Sequence, residues 1–258
     1  MTGPITQEIN DAQQHEFIMT IQKALGKSSG PALPELFGTA PNDLDTRLNA
    51  YINKSQPDRM ALLDLFIEQA QLLNLAVRPV ENVSRAGLAI QEFIEQTQPE
   101  WGTQKSVIAW HHPLIEQLNL GKNLADDITL FTTRSSSAPD SKERAQIRSQ
   151  LINSYIGISA ADFCVAQSAT LVLRTRPHQP RAVSLVPSIH VAVITLDQII
   201  ENLTELYFRL KWDPEEQKLG LTNCMTFISG PSKTGDIELV MVHGAHGPRQ
   251  MIVYVITG

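Results

Sequence analysis

The stretch "ISGPSKTGDIE", Ile228 to Glu238, sets a short apolar run against glycine, proline, serine and lysine and then turns acidic. Read as a strand giving way to a helix, it has Gly230 and Pro231 ending the strand, Ser232 or Thr234 capping the helix, and Asp236 and Glu238 near its positive end. Ile237, Val240 and Met241 would form the core face of that helix, and Gly244 would stop it. The backbone N–H groups of Ser229 to Thr234 would then face a small carboxylate or phosphate, with Lys233 as a charged lid. The spacing is not GxxxxGK[ST], so this is no Walker loop. The plainer alternative is a capped helix start with a solvated lysine.

Other residues carry chemistry less sharply. "HGAHGPR", His243 to Arg249, places two imidazoles and a guanidinium in a glycine-rich turn. An HxxH pair alone lacks the three or four ligands a metal needs, so no metal is expected there, and His246 is a substrate-binding candidate instead. Arg249 could grip a carboxylate with both arms of its fork. His190 opens an apolar run, either as a catalyst or as a hydrogen-bonded structural histidine. Asp162 fits a cleft acid or base, or equally a helix cap. Cys164 has no neighbouring base and reads as an inert buried thiol. "RTRPHQPR", Arg174 to Arg181, reads as a solvated basic turn that would attract an anion only if it folded over the site.

Composition narrows the classes. The chain has 258 residues, with 21 Lys+Arg against 27 Asp+Glu and a formal charge of -6, which argues against nucleic-acid binding through an overall field. The two cysteines have no CxxC spacing, so neither a disulfide framework nor a cluster held by this chain alone is expected, and no cofactor is assigned. The N-terminal stretch has no basic region followed by an apolar one, and no window nears 18 apolar residues. A cytoplasmic protein without membrane insertion is expected.

These residues need elements to hold them. Helical periodicity marks Gln7 to Leu25, Pro57 to Ala76 and Ser84 to Thr97, with a Pro/Gly-rich break between the first two. Residues 1–43 are therefore expected to form an N-terminal arm and linker, and 44–258 an α/β domain. Within the latter, "KSVIAW", "DITLFTT", "ATLVLRT", "IHVAVI", "CMTFIS" and "MIVYVI" are strand-prone. A helix over "HPLIEQLN" lies between the first two. Asp140 with Glu143, and Thr195 with Gln198, have capping-box spacing ahead of two further helices, the second carrying Leu196, Ile199, Ile200, Leu203 and Leu210. Apolar runs alternating with helices predict a mostly parallel sheet flanked by helices.

Taken together, "GISAADFCVAQSATLVL", "SLVPSIHVAV", "ISGPSKTGDIE" and "GAHGPR", in that order and spacing, resemble the lactate-utilization (LUD) domain family. The likeness is strongest from Ile152 onward and looser back to Asp58. It is nearest the small branch without a cysteine-rich tail, the lactate utilization protein C type. The resemblance implies the fold group of ribose-phosphate isomerases, glucosamine-phosphate deaminases and CoA transferases. It also implies a part in oxidising L-lactate to pyruvate beside iron–sulfur partner proteins. Family members commonly have Glu-Thr-Gly where this chain has Gln167, Ser168 and Ala169, and an amide cannot act as a base at neutral pH. Two readings follow. One is an accessory subunit of a lactate-oxidising assembly; the other is a stand-alone isomerase or CoA-transferase-like enzyme acting on a small phosphorylated or carboxylated metabolite through His190, Lys233, Asp236, Glu238, His246 and Arg249.

Overall fold

The structure is a computed structural model. It describes residues 40–100, 102–122, 124–135, 140–220, 222, 224–235, 241–243 and 246–258, together with 16, 17, 19–21, 23 and 24, which are helical. The rest of the stretch from Gln7 to Leu25 lies outside the described residues, as do Asp236, Ile237, Glu238, Val240 and Gly244. By its internal contacts the chain divides into residues 1–44 and 45–258.

Helices α1 (Leu44–Ile52) and α2 (Gln56–Leu72) precede β1 (Ala76–Val80) and α3 (Val83–Gln96). Ser55 caps α2 in a capping box with Asp58, and Asn82 caps α3, each satisfying amide N–H groups that the first turn leaves free. There follow β2 (Lys105–Ala109), α4 (Pro113–Gln117), β3 (Ile128–Thr132), α5 (Ser141–Asn153) and β4 (Ile156–Ala160). After β5 (Phe163–Val165), β6 (Thr170–Arg174), β7 (Ile189–Thr195) and β8 (Ile199–Ile200) come α6 (Leu203–Trp212) and α7 (Pro214–Leu219). The chain closes with β9 (Met225–Ile228), β10 (Lys233–Gly235), β11 (Met241–His243) and β12 (Gln250–Ile256).

Six strands form one sheet in the order β1-β12-β7-β4-β2-β3, every pair parallel. Strands covered on both faces need no polar alternation, which is why "IHVAVIT" and "QMIVYVI" run apolar almost throughout. A second sheet, β8-β5-β6-β9, is antiparallel except for the β5–β8 pair. Its residues alternate between two cores: Cys164, Leu171 and Leu173 join the main core, while Phe163, Val165 and Val172 pack with Ile200 and Leu206 in a smaller one. Strands β5, β6 and β8 are thus buried on both faces, between the main core and α6, while Phe227 on the edge strand β9 is exposed.

Three expectations change. Thr195 and Gln198 do make a capping box, but it closes a single 3-10 turn over Leu196–Gln198; Ile199 and Ile200 then pair with Cys164 and Val165, and the helix starts only at Leu203 under an Asn202 cap. Two β-branched residues that bury completely in a sheet outweigh one cap. The helix expected after Ser232 is instead the strand β10, paired antiparallel with β11 in the register Lys233↔His243 to Gly235↔Met241. Thr234 favours extended backbone and Gly235 weakens a helix by about 1 kcal/mol, so the ladder wins over the cap-like spacing. Because β9 belongs to the antiparallel sheet, "ISGPSK" is no crossover turn of the parallel one.

The third difference is β4, a central strand that the sequence disguises. "IGISA" is buried at every position, yet Gly157, Ser159 and Ala160 are small. Gly157 must be small because the neighbouring backbone is close: a Cβ there would lie 1.9 Å from the Val183 carbonyl oxygen. Gly157→Ala should therefore cost at least about 3 kcal/mol of unfolding free energy, the scale of overpacking against rigid backbone. Urea unfolding checks this; a wild-type midpoint for the variant would show that the 181–184 segment yields freely.

Candidate functional site

In open parallel sheets, ligands bind beyond the carboxyl ends of the strands. Here the segments leaving β2, β4 and β7 open onto a cleft of about 410 Å³. Its anchor is Asp162, just past β4. Its amide donates to the Val172 carbonyl at 2.8 Å, and its Oδ2 accepts the Arg174 amide at 2.7 Å, closing the hairpin formed by β5 and β6. Its Oδ1 accepts Arg174 Nε at 2.9 Å and lies 2.6 Å from Arg176 Nη1. Arg174 reaches Glu216 on α7 with its other arm, Nη2 to Oε2 at 2.7 Å. Arg174 is only 3% exposed, so this ion pair is set in a largely dry environment. Asp162 is therefore neither a helix cap nor a free acid; its oxygens are engaged with two guanidiniums and an amide.

The segment expected to be a solvated basic turn is a strap across the cleft. An Arg176–Gln179 bridge tightens it, and His178 at φ 65 reverses the chain. The strap is fastened from below. The Thr133 hydroxyl donates to the His178 carbonyl, the Ser135 amide to His178 Nδ1 at 3.2 Å, and Trp110 Nε1 to the Pro180 carbonyl at 2.9 Å. The turn therefore does fold over the site, bringing Arg176 to a cleft also lined by His112. His112 Nδ1 accepts the Leu114 amide at 3.2 Å, which leaves the proton of a neutral ring on Nε2. Burial holds its pKa below the ordinary value, with Asp162 pulling it up and Arg176 pushing it down. The cleft thus offers a guanidinium and an imidazole N–H as donors, a pair suited to a carboxylate.

Ser232, Lys233 and Arg249, singled out in the sequence, lie at the opposite, amino-terminal edge of the same sheet. The Ser232 amide donates to the Pro248 carbonyl at 2.8 Å, and the Arg249 amide to the Ser188 carbonyl at 2.9 Å, so these loops do meet. Their cations point to protein partners: Lys233 Nζ donates to the Leu73 carbonyl at 3.0 Å, and Arg249 Nη1 to Glu100 Oε1 at 3.0 Å. His246 is exposed, Thr234 contributes its backbone to β10, and Asp236 and Glu238 fall outside the described residues. His190, near the start of β7, is wholly buried, with Nε2 2.8 Å from Ser159 Oγ and Nδ1 without a partner. Gln167 sits at the tip of the β5–β6 hairpin, where Nε2 donates to Glu201 Oε1 at 3.3 Å. Ala169 beside it adopts φ 43, a conformation that suits the glycine common in the family.

Sequence reasoning weighed Arg174 to Arg181 chiefly as a solvated turn, and passed over His112 and Glu216. One signal was present: Arg174 and Arg176 stand two apart at the end of a strand, so both can reach one side, and a carboxylate inside an otherwise apolar stretch needs cations.

A sequence model of the LUD domain family matches residues 63–256. A lactate utilization protein C of Shouchella clausii is 30% identical over 65% of this chain and 69% of its own length. Another from Halalkalibacterium halodurans is 28% identical over 76% of this chain and 79% of its own. An uncharacterized protein of Escherichia coli, YkgG, is 26% identical over 93% of this chain and 96% of its own. Among solved structures, a DUF162 family protein from Deinococcus radiodurans superposes with a TM-score of 0.51 at 21% identity, covering 77% of this chain and 98% of that one. This last likeness bears on the fold.

The burial of His190 has a measurable consequence. Its pKa is pushed down to about 3 by desolvation, against about 6.5 when unfolded. A depressed folded pKa means that the unfolded chain takes up the proton first as the pH falls. The stability tied to a neutral His190 is then complete above about pH 6.5 and lost below it by about 1.4 kcal/mol per pH unit. His190→Gln keeps a hydrogen-bonding group for Ser159 and removes the titration. Urea unfolding at pH 7, 6 and 5 should show wild type losing stability faster than the variant below pH 6.5; parallel profiles would refute this.

Proposed function

Since the chain belongs to the LUD domain family, we propose that it serves lactate utilization as an accessory, non-redox subunit, binding a small carboxylate in the cleft beside iron–sulfur partner proteins that carry the electrons. The observation that supports the ligand reading is that Arg176, on a strap pinned at three points, and His112 line the same cleft. A site preorganised in this way binds without first ordering a loop. The non-redox role rests on the sequence: two separated cysteines cannot supply the four thiolates of a cluster. Cys164 is fully buried, and desolvation holds its thiol pKa well above the usual range, which suits packing rather than reactivity.

The stand-alone enzyme reading calls for a nucleophile or a free base in the cleft. Asp162 is committed to Arg174 and Arg176, and Gln167 stands where the family's glutamate would be. Both observations favour binding over turnover. Among the described residues, no helix is long and apolar enough to cross a membrane.

In the native host, deletion of the gene should abolish growth on L-lactate as sole carbon source while sparing growth on pyruvate. Wild type should restore it, and Arg176→Ala should restore it poorly. Affinity purification of the tagged protein should recover cysteine-rich iron–sulfur proteins. Normal growth of the deletion strain, with the protein recovered alone, would overturn the proposal.

A further inference from the structure

Among the described residues, four buried side-chain nitrogen or oxygen atoms lack a hydrogen-bond partner: Gln179 Oε1, His190 Nδ1, Arg209 Nε and Glu216 Oε2. All but His190 belong to residues lining the one cleft at the carboxyl edge. Arg174 Nη2 lies close to Glu216 Oε2 but outside hydrogen-bonding geometry, so that oxygen has attraction without a donor. Left without water or a ligand, each such group would cost about 1–3 kcal/mol. Three around one opening set what a ligand there would have to match: two acceptors call for donors, and one donor calls for an acceptor. A bare anion satisfies only the last.

Charge and size narrow the partner further. Three guanidiniums and three carboxylates line the cleft, so no surplus positive charge is left to hold a doubly charged anion. The volume of about 410 Å³ would hold about fourteen waters at about 30 Å³ each, far more than the six heavy atoms of lactate displace. We propose that the cleft takes a hydroxylated monocarboxylate longer than lactate, whose hydroxyl groups donate to Gln179 Oε1 and Glu216 Oε2 and accept from Arg209 Nε while its carboxylate meets Arg176 and His112. This rests on the carboxylate reading of the same cleft. Gln179 and Glu216 then set specificity: an analogue without hydroxyls fills the space and leaves both acceptors unpaired.

Calorimetric titration at pH 7 with D-gluconate, L-lactate, propionate and inorganic phosphate tests this on wild type and on Gln179→Leu. Gluconate should bind tightest, with lactate ahead of propionate by about tenfold, the worth of one well-made hydrogen bond. Gln179→Leu should weaken gluconate by about tenfold and change propionate by less than about twofold. Its thermal unfolding should match or exceed wild type, because the substitution removes an unpaired buried acceptor. Should leucine prevent folding, Gln179→Met keeps the length without the branch. Propionate or phosphate binding as tightly as gluconate, or a variant that weakens every ligand equally, would overturn the hydroxyl proposal. In the case of propionate, or of uniform weakening, the carboxylate reading survives. If no carboxylate binds wild type, both fall.

Discussion

Asp162 and its two arginines are the joint on which the carboxyl edge depends. The carboxylate leaves the main sheet at the end of β4, and Arg174 and Arg176 arrive from the end of β6, so one cluster ties the two sheets together. Arg174 extends the tie to α7 through Glu216. Each ion here pays a desolvation cost that its neighbours offset, and removing one partner strands a charge in low dielectric at about 3–5 kcal/mol. The cluster contributes less as net stability than as constraint: it fixes where the strap begins. Phe163, with the Arg174 and Arg209 guanidiniums 5.5 and 5.0 Å from its ring centroid, completes the wall.

From that joint the division of the molecule follows. Parallel strands aim their carboxyl ends one way, and Trp110, Thr133 and Ser135, just past β2 and β3, hold the strap over the mouth. The amino edge is closed differently, with Lys233 and Arg249 tied to Leu73 and Glu100. One edge presents unpaired polar atoms in a cleft, and the other presents paired cations on loops. That contrast supports placing the proposed carboxylate at the first.

How much of this was legible follows the reach of each sequence signal. Long apolar runs such as "IHVAVI" and "MIVYVI" announced β7 and β12, and capping residues announced α5, because those signals are local. β4 stayed hidden because its Gly157 answers to the Val183 backbone, a contact that no local pattern reveals. "ISGPSKTGDIE" misled because serine, threonine and acidic residues suit a helix start and a hairpin equally; the partner strand β11 decided the matter. The cleft was missed for a related reason. Arg174, Arg176, His112 and Glu216 are spread over more than a hundred residues, each unremarkable alone, and only the topology brings them together. The family resemblance succeeded where residue chemistry fell short, since order and spacing survive when individual roles change.

Hydrogen exchange with and without saturating L-lactate tests most directly which edge of the sheet holds the ligand. The account predicts slowed exchange in residues 110–114 and 174–181, around the strap and its anchor, with residues 229–233 and 246–250 unchanged. Protection confined to 229–233 and 246–250 would place the ligand at the amino edge, and the assignment of the cleft would be wrong.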